Sequence, residues 1–214
     1  MKLTIRKFQE LYAISLMDIE DLDKSILLVQ CLTNKTDEEI NKMHIDKFNK
    51  VCADINKSFE VITKRMDLGK PTQYVKVKGT WYFLNYEITK KPMNAGRYVE
   101  TATFSSDIIN NLHKIMATMA NPMKWTWKGL KLKEYDALDH ERISEDMLDL
   151  EFSVAYHSAV FFYAVFSKSM KASGPYFQQI VGEKVEMKKA MEDLSKVLDG
   201  YITANWYKNL RILH

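Results

Sequence analysis

The stretch Glu151 to Lys168, EFSVAYHSAVFFYAVFSK, limits what this chain can become more than any other segment. Phe152, Ala155, Ala159, Phe162 and Phe166 recur at three- and four-residue spacing, and Val154, Phe161 and Val165 fill a second side. A helix that is apolar over most of its girth is either a buried core helix or a membrane span. A span needs roughly 20 uninterrupted apolar residues. This run is shorter, and Ser153, His157 and Ser158 interrupt it. The expectation is therefore a buried central helix near 151–172 in a mainly α (α+β) helical domain.

Length and composition support one such domain over 1–214. The candidate sub-division is an N-terminal helical part at 1–68, a hairpin with core helices at 69–173, and a C-terminal helix at 174–214. A chain of 214 residues can bury about 70% of its unfolded surface and needs no staples. With 46% hydrophobic and 28% charged residues it falls outside the range of disordered chains. Seven Gly and four Pro are too few for a many-stranded sandwich with its turns. The net charge of +3 argues against a dedicated nucleic-acid binder, which carries a stronger basic bias. The N-terminus, MKLTIRKFQELY, lacks the long apolar centre of a signal peptide, so synthesis in a cytosol is expected.

Several elements announce themselves locally. Thr4 is placed to cap a helix over about Ile5 to Met17. Leu22, Ile26, Val29 and Leu32 share one side of a second helix. Thr36 with Glu39 three residues on is a capping box. Asp46 is the expected cap of a longer helix, with Ile45 as its hydrophobic staple. That helix carries the cleanest amphipathic stripe in the chain: Phe48, Val51, Cys52, Ile55, Phe59, Ile62 and Met66. Gly69 and Pro71 end it, and the period changes. Tyr74, Val75 and Val77 alternate with lysines before Gly79-Thr80 and WYFLNYEIT, which predicts one β-hairpin near 73–89. A lone hairpin is marginal in water, so it must lean on the helices. Ser105 or Ser106 is the expected cap of a helix ending at Asn121-Pro122. KWTWKGLKLK, Lys124 to Lys133, reads as irregular or as a short extended arm. Asp139 is the expected cap of a helix reaching about Leu150, and a C-terminal helix is expected over about Tyr176 to Leu210.

Chemistry is sparse. The five histidines form no HExxH pair, and no GxxxxGK[ST], GxGxxG or GxSxG is present. His140, Glu141 and Glu145 could share a helix face, but a metal site normally needs three or four protein ligands. Cys31 and Cys52 read as two buried thiols without a disulfide. No catalytic, metal or cofactor-binding residue is assigned. The acidic run Glu134 to Glu151 reads as a solvated or partner-facing surface. The one stretch with binding potential is KWTWKGLKLK, and its candidate interface residues are Lys124, Trp125, Trp127, Lys128, Lys131 and Lys133. Trp and Lys together could stack bases and hold phosphates. They could equally dock on a protein, since Trp is enriched at interface hot spots. The third option is that both indoles pack inward.

Three blocks taken together resemble a known group. They are LTIRKFQELYAISLM…LLVQCLTNKTDEEINKMHIDKFNKV, the hairpin followed by GRYVETATFSSDIINNLHKIMATMANP, and HERISEDMLDLEFSVAYHSAVFFYAVF. Their order resembles small proteins encoded near the virion and tail genes of tailed bacteriophages of gut Bacteroidetes, including crAss-like phages. The first block is also similar to the N-terminal part of tail-assembly-chaperone-like proteins. The resemblance covers roughly Leu3 to Phe166 and carries no chemical signature. It implies a non-enzymatic virion protein of the tail or neck, with packaged cargo ejected with the genome as one form. The alternative it implies is an assembly chaperone absent from the mature particle. A soluble nucleic-acid-binding protein is the alternative from another class. The implied partners are other virion or tail proteins, or copies of the chain itself. The implied location is the virion, after synthesis in the host cytoplasm; no cofactor, no membrane span and no nucleic acid are expected.

Overall fold

The computed structural model describes residues 2–68, 70–86, 95–127, 129–133 and 136–171. The helix expected at 174–214, the end of the hairpin at 87–89, Lys128, and the side chains of Met66 and Phe166 lie outside the described residues. The chain runs α1 (Ile5–Ser15), α2 (Asp21–Thr33), α3 (Asp37–Asn41), α4 (Ile45–Leu68), β1 (Tyr74–Val77), β2 (Thr80–Leu84) and α5 (Ala95–Phe104). A 3-10 turn at Ser105–Asp107 leads into α6 (Ile108–Met119), then β3 (Ala120–Thr126) and β4 (Gly129–Leu132). A second 3-10 turn, Ala137–Asp139, precedes α7 (His140–Met147) and α8 (Phe152–Lys171). The class is mainly α with a small antiparallel sheet.

The segment near 73–89 supplies only half of that sheet. Among the described residues four antiparallel strands stand in the order β1-β2-β3-β4, where one hairpin was expected. The added pairing sets Leu84 opposite Ala120, Phe83 opposite Asn121 and Tyr82 opposite Pro122. Helices α5 and α6 lie between β2 and β3 in the chain, so no local pattern reports this contact.

One core extends from Leu3 to Phe162. Its hub is α6 rather than α8: α6 packs against α1, α5, α7, α8 and the start of β3. Ile108, Ile109, Leu112, Ile115, Met116 and Met119 are all buried along it. In α8, Phe152, Ala155, Ala159 and Phe162 are buried, and Phe152 stacks on Phe8 of α1 with ring centroids 3.9 Å apart. A smaller cluster joins Val29, Ile40, Phe48 and Cys52 beneath α2, α3 and α4.

The first turn of α1 shows how tightly the N-terminal end is held. A helix leaves its first four N–H groups without intrahelical partners. Here Ile5 N–H donates to the Leu150 carbonyl (3.0 Å) and Arg6 N–H to that of Leu148 (2.9 Å). Lys7 N–H donates to Thr4 Oγ1 (3.3 Å) and Phe8 N–H to the Thr4 carbonyl (2.9 Å). Phe152 N–H returns a bond to the Leu3 carbonyl (2.8 Å). The start of the chain is thereby stitched to the α7–α8 junction.

Other caps differ from expectation. α4 begins at Ile45, which is therefore its first helical residue and is exposed, not a staple. His44 takes the capping role, its Nδ1 accepting from Asp46 N–H at 3.4 Å. Asp107, not Ser105 or Ser106, caps α6 by accepting from Asn110 N–H (3.1 Å), because the 3-10 turn carries the chain past both serines and α6 begins only at Ile108. Leu22 lies in the first turn of α2 and is exposed, while Val29 and Leu32 are buried. The box on α3 is complete: Thr36 Oγ1 accepts from Glu39 N–H (3.3 Å), and Glu39 Oε2 accepts from Thr36 N–H (2.9 Å). Thr36→Ala is expected to lower stability by about 1 kcal/mol, measured by urea unfolding. An unchanged midpoint would mean that α3 is held by Ile40 alone.

Candidate protein-interaction site

The candidate site is built on the end of α6. Ala120 turns extended (φ −82°, ψ 130°), and Pro122 follows without an N–H to continue a helix. The chain enters β3 with no linker. Ala120 to Pro122 pair with β2, after which β3 runs on with β4 alone. Met123 to Leu132 is therefore a two-stranded ribbon that passes beyond β2. Its turn closes on Gly129, whose φ of +100° lies where residues with a Cβ rarely sit. Thr126 Oγ1 braces the turn by donating to the Gly129 carbonyl (2.7 Å).

The register sorts the ribbon into two faces. Residues directly opposite share a face, and successive residues alternate. Met123 pairs with Leu132 and Trp125 with Leu130, which makes one face apolar. Lys124 pairs with Lys131 on the other face. Trp125 is 76% exposed and Trp127, in the turn, is 90% exposed; Leu132 is exposed, and Met123 and Leu130 are half-buried. A buried indole normally anchors a core, so two indoles this open are unusual for a folded surface.

The six residues expected to form this site thus separate. Lys124, Trp125, Trp127 and Lys131 come together on the ribbon, all exposed. Lys133 stands at its base, half-buried, with Nζ donating to Asp139 Oδ2 at 2.5 Å. That bond, followed by the charges of Lys133 and Arg142, holds the Asp139 carboxyl below its ordinary range. It also explains why Asp139 does not cap α7: its carboxylate is already engaged by Lys133 and by Arg142 (3.5 Å). Lys128 lies outside the described residues.

Several carboxylates of the acidic run are ion-paired, although Asp136, Glu141 and Glu145 are exposed. Glu145 takes Arg6 Nη2 at 2.7 Å, and Asp149 takes Lys78 Nζ at 3.1 Å. Asp146 accepts from the Tyr82 hydroxyl at 2.5 Å and lies 3.6 Å from Arg142 and 3.8 Å from Lys78. Glu151 accepts from Ser153 Oγ (2.9 Å). These carboxylates tie α7 to α1 and to the β1–β2 turn. Sequence reading missed this because the cations come from distant segments.

His113, Cys31 and Cys52 are governed by burial. Burial pushes the His113 imidazole down to about 4, and its Nδ1 lies 3.1 Å from Gln9 Nε2. Burial and the neighbouring Glu10 carboxylate push the Cys31 thiol up to about 12; burial pushes Cys52 to about 11. Both thiols are protonated at neutral pH and therefore weak nucleophiles. His140 stacks on Phe104 and lies 3.9 Å from Glu100, so it is not paired with Glu145. Among the described residues no group of three His, Cys, Asp or Glu side chains is placed to hold a metal ion. Among them, too, no helix is long and apolar enough to cross a membrane. Comparisons with protein-family models, curated proteins and solved structures returned no match.

Proposed function

We propose that this chain is a non-enzymatic virion protein of a tailed bacteriophage, associated with the tail or neck, and that it binds other tail proteins through the β3–β4 ribbon. The phage assignment rests on the resemblance of the three sequence blocks. The observation that carries the binding role is the open apolar face of the ribbon, with Trp125 and Trp127 displayed at its tip. Trp is the residue most often found to dominate a protein interface. A nucleic-acid role is less well supported, because Trp125 and the Lys124–Lys131 pair face opposite sides of the ribbon. Base stacking by Trp125 and phosphate contact by the lysines would have to occur on different surfaces.

Trp125→Ala with Trp127→Ala is the direct test. Exposed substitutions usually change stability by less than about 0.5 kcal/mol, so the thermal transition is expected to stay in place. Co-purification with virion proteins is expected to vanish, since lost hot-spot residues cost about 2 kcal/mol or more each. If the double variant unfolds, the indoles are structural and the binding role fails. Mass spectrometry of purified particles places the protein. Presence in infected cells but absence from mature virions would make it an assembly chaperone instead of a virion component.

A further inference from the structure

We infer that the outer edge of β4 accepts an added β-strand, and that the strand it fits alternates apolar with acidic residues. This rests on the binding role proposed above and specifies its partner. Among the described residues β4 is the outermost strand of the sheet. Lys133 N–H donates inward to the Pro122 carbonyl at 2.8 Å. In an antiparallel pair the inward-bonding residues alternate, so Lys131 and Gly129 also turn their amides toward β3. Leu130 and Leu132 then turn their N–H and C=O groups outward. These outward groups have no hydrogen bond among the described residues. An unpaired edge of this kind is a template for strand addition, in which backbone bonds give affinity and alternate side chains give specificity.

The side chains along that edge define the occupant. A strand paired to β4 sets one residue opposite Leu130, the next opposite Lys131 and the third opposite Leu132. The first and third join the apolar face beside Trp125 and Met123. The second joins the basic face, where Lys131 and Lys124 stand directly opposite each other. Like charges so placed repel, and an anion beside them relieves both. Lys133, on the same face, is already neutralised by Asp139 and adds no free charge. The matching segment is apolar–acidic–apolar. A second copy fits poorly: the antiparallel self-pair centred on this strand sets Lys131 against its own counterpart.

The test uses the full chain and short fluorescein-labelled peptides at low ionic strength. One peptide alternates valine with glutamate, one alternates valine with lysine, and one scrambles the glutamate peptide. Only the valine–glutamate peptide is expected to raise anisotropy, and the exchanging amides of Leu130 and Leu132 should gain protection. Lys131→Glu should weaken that peptide about tenfold and confer binding of the lysine peptide. Leu132→Pro deletes one outward N–H while sparing the inward ladder, and should abolish binding. Equal binding of the glutamate and lysine peptides, or undiminished binding by Leu132→Pro, overturns the strand-addition inference. In that event, loss of virion partners by the double Trp variant would leave the ribbon as a face-binding site. Retention of those partners would remove the binding role as well.

Discussion

Ala159→Asp is expected to bring the domain to the edge of unfolding at neutral pH. Ala159 is 1% exposed on α8, the helix that packs against α6, α4 and α1, with Phe152, Ala155 and Phe162 buried on the same helix. A carboxylate there has to be desolvated or take up a proton. Full burial can raise a carboxyl pKa by about 3–5 units, and each unit is worth about 1.4 kcal/mol. Overpacking by the extra atoms adds about 1–3 kcal/mol. The sum rivals the whole stability of an ordinary domain, about 5–15 kcal/mol. The sign with pH follows. The folded pKa is raised above the unfolded value, so the unfolded state gives up its proton first. The electrostatic deficit is near zero below about pH 4, grows as pH rises, and levels off above the raised folded pKa. Ala159→Asn has similar bulk but does not titrate, so its deficit should be flat. Urea unfolding of both variants between pH 4 and 8 separates them. Equal deficits at every pH would show that water reaches the site.

How much could be read in advance depends on how far apart the interacting residues lie. The capping box is legible because Thr36 and Glu39 satisfy each other within one helical turn. The α4 stripe is legible because a helix at the boundary of core and water writes its period into the chain. Phe48, Cys52, Phe59 and Ile62 are the buried members. α8 is apolar all round, which signals burial but not rank. Nothing in its pattern says that α6 would gather more neighbours. The hidden element is β3. Its first residues are the last apolar positions of a helical pattern, and its pairing with β2 crosses two helices.

The candidate site was legible in composition and hidden in geometry. Lys124-Trp125 and Leu130 to Lys133 alternate Lys with Trp or Leu, a strand signal interrupted in the sequence by Thr126 and Gly129. Once the register is known, the same residues separate into an apolar and a basic face. The acidic run is solvated at Asp136, Glu141 and Glu145, yet it is not unpaired. Density of like charge in sequence suggests a solvated face, but Arg6, Lys78 and Tyr82 arrive from outside it. A charged run seen alone carries no information about cations that only the tertiary fold delivers.

That network supplies the second large effect, on Asp146→Ala. The Tyr82 side chain is fully buried, and its hydroxyl reaches Asp146 at 2.5 Å. Lys78 is directed at the same group from the β1–β2 turn, where it holds a positive φ of 46°. Deleting the carboxylate strands a buried hydroxyl, which costs about 1–3 kcal/mol. The flanking pairs to Lys78 and Arg142 are partly exposed and add at most about 1 kcal/mol. A loss of about 2–3 kcal/mol is therefore expected in urea unfolding. Tyr82→Phe removes the donor, so Asp146→Ala should cost much less in that background, and the cycle isolates the bond. Alkali provides an independent readout. Burial, then the hydrogen bond to Asp146, push the Tyr82 phenol up to about 12. The unfolded chain therefore ionises first, near pH 10. This contribution is complete below pH 10 and is lost as pH rises toward 12. Tyr82→Phe should lack that alkaline component. Additive single and double variants, with alkaline profiles unaltered by Tyr82→Phe, would mean that the bond between β2 and α7 contributes nothing to holding the sheet on the helices.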